Sequence, residues 1–127
     1  MHIVIPDKQG RWFEESVLRF SDGSYILADH IPECCECNYA DFTVLETMPD
    51  VLGLEFDSVS IKEPEDKQAG GFIIRLENAT PFGHRNVFVP CYSLQNGYYS
   101  TTVEVYLYDS ENNCKQSLFI SAEWSEM

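Results

Sequence analysis

Along most of this chain apolar residues recur at every second position, not every third or fourth. Between Tyr98 and Asp109, Tyr99, Val103, Val105 and Leu107 fall on one face, and Tyr98, Ser100, Thr102, Glu104, Tyr106 and Tyr108 on the other. That is the period of a half-buried β-strand. Gln116–Trp124 repeats it, with Leu118, Ile120, Ala122 and Trp124 together. Phe72–Asn78 and Val87–Leu94 read as two further strands, separated by "ATPFGHRN". Asn96-Gly97 joins Val87–Leu94 to Tyr98–Asp109, and Asp22-Gly23 joins Trp12–Phe20 to Ser24–Ala28. Both dipeptides signal two-residue hairpin turns of the primed type. A further strand runs through part of Cys35–Leu45, and Leu54–Ile61 is extended again. Between them Met48–Gly53 predicts one short helical turn, with Pro49 where a missing donor is tolerated and Gly53 closing it. Turns are expected in the acidic loop "KEPEDKQAGG" and in "SENN". The pattern predicts a mostly β single domain over residues 1–127. It would be an antiparallel sheet or a flattened sandwich of about seven or eight strands with one short helix.

Composition sharpens this picture mainly through charge. The 127 residues are 44% hydrophobic, enough for a core without staples. The formal net charge is −13. Repulsion from phosphates argues against direct binding to nucleic acid. The same charge favours a basic partner, including a protein groove that ordinarily holds nucleic acid. The alternative is that acidity only keeps a small protein soluble. No apolar run is long enough to span a bilayer, and the N-terminus lacks the layout of a secretory signal, so a cytoplasmic protein without membrane contact is expected. The acidic positions that stand out are Glu63, Glu65 and Asp66 in the loop, and Glu33 and Glu36 beside the cysteines.

Three of the five cysteines crowd into "IPECCECNYADF". Strand alternation would place Cys35 and Cys37 on one face, with Cys34 and Glu36 opposite. His30, Cys35, Cys37 and Cys91 are the candidate zinc ligands, but structural zinc sites use separated ligand pairs that this chain lacks. The expectation is packed thiols, no metal and no cofactor. A thiol nucleophile would need a neighbouring base, and neither His30 nor His84 sits in a recognisable Cys/His context. No serine elbow, phosphate-binding glycine loop or zinc-protease helix occurs, so a non-enzymatic protein is expected.

The C-terminal hairpin is aromatic. Tyr98, Tyr106 and Tyr108 share a face that either presents a binding surface or packs on a second sheet or the helix. Arg75 and Arg85 lie in the same half and could pair with a phosphate while tyrosines stack on a base.

The stretches "PECCECNYADFTVLETMPDVLG" and "CYSLQNGYYSTTVEVYL" carry Cys-Cys-Glu and Asn-Gly-Tyr-Tyr-Ser motifs in order. In this the chain resembles a bacteriophage and prophage family of unknown function. It departs from that family in having Pro90-Cys91, where the family tends to carry an arginine and a tryptophan before the turn. The resemblance implies a phage protein in the bacterial cytosol. It also implies an anti-defence role: an anti-CRISPR-like inhibitor that binds a basic host protein and competes with nucleic acid. A sponge that sequesters a nucleotide immune signal is the second reading, and a zinc-binding structural or virion protein the third. Oligomeric state is left open.

Overall fold

The computed structural model describes residues 1–6, 17–29, 36–66, 69–79, 83–95 and 102–126. They form nine strands: β1 Val17–Arg19, β2 Tyr25–Asp29, β3 Glu36–Ala40, β4 Ser58–Lys62, β5 Gly71–Ala79, β6 Gly83–Gln95, β7 Thr102–Tyr108, β8 Cys114–Ser121 and β9 Glu123–Glu126. A 3₁₀ helix, Phe42–Thr47, and one α-helical turn, α1 Pro49–Leu52, lie between β3 and β4. One sheet runs β1-β2-β7-β8, and the other runs β3-β6-β5-β4 with β9 added to β6. All pairings are antiparallel except β6 with β9.

Alternation assigns the faces. Val103, Val105 and Leu107 of β7 and Ile26 and Ala28 of β2 point inward. They meet Phe72, Ile74 and Leu76 of β5 and Val87, Val89 and Cys91 of β6 in one buried cluster between the sheets. Phe42 from the 3₁₀ helix packs edge-on against Phe72, ring centres 6.2 Å apart. The outward residues of β7, including Tyr106 and Tyr108, are therefore not packed on the second sheet.

Local chemistry sets several boundaries. The strand expected in part of Cys35–Leu45 is β3, which ends at Ala40 because the Asp41 carboxylate takes the Thr43 amide at 3.1 Å and caps a 3₁₀ helix. The helical turn after Pro49 forms as expected and closes with the Gly53 amide on the Pro49 carbonyl. "ATPFGHRN" is not a long loop, since β6 already pairs from Gly83 opposite Ala79. The alternation through Gln116–Trp124 hides a change of sheet. β8 stops at Ser121, Ala122 is buried, and β9 crosses to lie beside β6.

The Asp22-Gly23 turn is present, but its loop has one more residue than the primed dipeptide implies. The Phe20 amide bonds the Ser24 carbonyl, and the Gly23 amide returns to Phe20. Gly23 has φ of +92°, the left-handed position of a three-residue hairpin loop. Asn96-Gly97 lies outside the described residues.

The two sheets are also joined at an open edge. β4 and β8 are terminal strands of different sheets. The Gln116 side chain accepts from the Ile61 amide at 2.8 Å and donates to the Ile61 carbonyl at 3.2 Å. One side-chain amide thereby stands in for the neighbouring strand that β4 lacks at this residue among the described residues.

Candidate interaction surface

The outward face of the first sheet is built by pairing residues far apart in sequence. Register sets Arg19 beside Tyr25, Tyr25 beside Tyr108, Leu27 beside Tyr106, and Glu104 beside Phe119. Tyr25 and Tyr108 stack with centroids 5.1 Å apart, and the Arg19 guanidinium lies 5.6 Å from the Tyr25 ring centre. Tyr106 tilts against Tyr108 at 6.0 Å, and its hydroxyl donates to Glu104 Oε2 at 2.6 Å. Phe119 is 62% exposed. The result is an aromatic platform with a carboxylate set among the rings.

Tyr108 also borders a cleft of about 320 Å³ between the β1–β2 loop, the start of β4 and the β7–β8 turn. Asp22, Asp57 and Asp109 line it with Lys115. Each carboxylate has a local donor: Ser24 for Asp22, Asn78 for Asp57, and Asn113 and Glu111 amides for Asp109. The Asn113 amide, with help from Glu111, the Asn113 side chain and Lys115, holds Asp109 below the usual carboxylate range against a smaller desolvation effect. Asp109 is thereby held ionised and oriented, which suits charge recognition and not proton transfer.

The residues singled out from sequence are dispersed. Glu63, Glu65 and Asp66 are exposed after β4, as a surface-directed acidic loop requires. Glu33, His30, Cys34, Cys35 and Tyr98 lie outside the described residues. Glu36 and Cys37 are placed by backbone in β3, and their side chains are outside the described set. Arg75 is on the outward face of β5, paired with Glu77, and Arg85 reaches Asp50 of α1 at 3.1 Å. Tyr106 and Tyr108 are on the other sheet, so the structure does not gather the two arginines and these tyrosines into one pocket.

Cys91 is fully buried, and burial pushes its thiol up to about 12, which removes thiolate chemistry at neutral pH. β3 pairs Cys37 with Leu94 and Cys91 with Ala40. Cys37 and Cys91 are therefore not register partners in the β3–β6 pairing. No group of three or more His, Cys, Asp or Glu among the described residues is arranged to hold a metal.

Arg19, Tyr25, Phe119 and the acidic cleft did not stand out in the sequence. Tyr25 and Tyr108 become neighbours only through β2–β7 pairing, which no local motif announces. No helix among the described residues is long and apolar enough to cross a membrane. Compared with known proteins, the chain matches no family model, no curated protein and no solved structure. The likeness to a phage family thus rests on its two motifs alone.

Proposed function

We propose that this is a non-enzymatic binding protein that occupies a basic surface of a host protein, in the manner of a phage antagonist of bacterial defence acting in the host cytosol. The observation that carries this reading is the net charge of −13. Its support in the fold is that three of the cations are held by carboxylates: Arg75 by Glu77, Arg85 by Asp50 and Lys115 by Asp109. Meanwhile Glu63, Glu65 and Asp66 stand at the surface. A ligand approaching through solvent meets a net negative field, which repels nucleic acid and accelerates encounter with basic protein surfaces. An inhibitor of this kind would compete with nucleic acid for its host protein.

The nucleotide-sponge reading gains less support. Its two candidate cations, Arg75 and Arg85, are paired and lie away from Tyr106 and Tyr108. Among the described residues that leaves Arg19 over the Tyr25 ring as a lone cation beside the stacked tyrosines, in a chain of net charge −13. The deciding experiment is capture from bacterial lysate at low and high salt, beside calorimetric titration with cyclic nucleotides. The proposal expects a basic protein that is released as salt screens the charges, and no heat with nucleotide. Tight nucleotide binding that survives lysine substitution of Glu63, Glu65 and Asp66 would overturn it.

A further inference from the structure

The aromatic face of the β1-β2-β7-β8 sheet has chemistry of its own. An all-apolar patch would suit any hydrophobic partner, but here rings and a carboxylate alternate. Glu104 sits between Tyr106, whose hydroxyl bonds it at 2.6 Å, and Phe119, its register partner on β8. Flat rings that cover the stem and plane of a guanidinium, beside a carboxylate that takes its N–H groups, make a receptor for arginine more than for lysine. The same sheet already makes this contact internally, with Arg19 lying 5.6 Å from the Tyr25 ring centre.

Charge selects the class of occupant. A second copy would bring another −13 against the first. Nucleic acid bases could stack on tyrosines, but their phosphates would meet the same field. A basic protein segment satisfies both the rings and the charge. From these observations we propose that the outward face formed by Tyr106, Tyr108, Glu104 and Phe119, beside the Tyr25 ring that Arg19 already covers, is a docking surface for arginine side chains of a basic partner protein. This deepens the acidic-binder reading and rests on it. The face supplies selectivity for arginine, whereas the Glu63–Asp66 loop and the acidic cleft supply long-range attraction. Tyr108 borders both the cleft and the platform, so an arginine drawn toward the cleft arrives beside the rings.

The test is titration of the whole protein with an arginine–glycine repeat peptide and a lysine–glycine peptide of equal length and charge. Aromatic ¹H–¹³C spectra would be followed on the unmodified protein. The arginine peptide should bind at least about threefold more tightly, the discrimination expected from one exposed ring–guanidinium contact. It should also shift the Tyr106 and Tyr108 ring resonances, and Tyr106→Leu and Phe119→Ser should each reduce the preference. Equal affinity for the two peptides, with steep salt dependence, would sink the docking face and leave the acidic reading standing. Binding of neither peptide would sink both. An arginine preference without movement of the tyrosine resonances would place the receptor elsewhere and overturn the assignment even if a variant failed to fold.

Discussion

Replacing Gln116 with leucine tests whether the edge between the two sheets is held by one side chain. Leucine keeps nearly the same volume but has neither donor nor acceptor. The parent makes two bonds with Ile61, at 2.8 and 3.2 Å, on a terminal strand whose amide and carbonyl have no strand partner there among the described residues. At about 0.5–1.5 kcal/mol net for each bond, the loss is about 1–3 kcal/mol. The upper part of that range applies if the Ile61 groups stay shielded from water, since an unsatisfied group then carries its desolvation cost. Urea unfolding followed by circular dichroism would show a lower midpoint with an unchanged slope, because the surface exposed on unfolding is nearly constant. Gln116→Glu refines the result. Its carboxylate still accepts from the Ile61 amide but repels the Ile61 carbonyl, so it should be destabilising at neutral pH and recover part of the loss once protonated. A Gln116→Leu protein within about 0.5 kcal/mol of the parent, the range of ordinary surface substitutions, would refute the reasoning.

Other substitutions test other parts of the fold. A Cβ at Gly71 would lie 2.3 Å from the Val89 carbonyl and 2.6 Å from the Phe88 ring, so Gly71→Ala should cost about 1–3 kcal/mol in thermal or urea melts. Peptide mapping after brief alkylation at mildly alkaline pH should find Cys114 modified and Cys91 intact, since one thiol is exposed and the other buried with its thiolate disfavoured. Asp109 has a folded pKa below its unfolded value. Its contribution to stability is therefore fully present above about pH 4–5 and is lost as pH falls through the depressed folded value. Asp109→Asn should flatten that part of the acid limb in a stability-versus-pH profile, and an unchanged limb would show that the turn does not titrate this way.

What the sequence disclosed followed from period-two alternation. Val103, Val105 and Leu107 were recognisable as core because each sits two residues from the next, and Pro49 and Gly53 bracketed α1 by their own backbone chemistry. Features that needed long-range pairing stayed hidden. The passage from β8 to β9 through Ala122 keeps an unbroken alternating pattern, so nothing local marks the change of sheet. Gln116 looks like an ordinary polar strand residue until β4 lies beside it. The candidate surface was half legible for the same reason. Tyr106 and Tyr108 share a strand face by spacing alone, but Arg19 and Tyr25 join them only through β1–β2–β7 register. Arg75 and Arg85 sat close to the tyrosines in sequence, yet the sandwich assigns them to the other sheet.

The central claim is that acidic charge directs this protein to a basic partner, and the rate of association tests it most directly. The partner captured from lysate would be mixed with wild type and with the Glu63→Lys, Glu65→Lys, Asp66→Lys triple variant, with salt raised from about 0.01 M to about 1 M, over which the screening length falls from about 30 Å to about 3 Å. Wild-type association should be fast at low salt and fall steeply, while the variant starts slower and falls less, with dissociation and folding nearly unchanged because exposed charges contribute little to either. Equal association rates for the two proteins at every salt concentration would contradict the account.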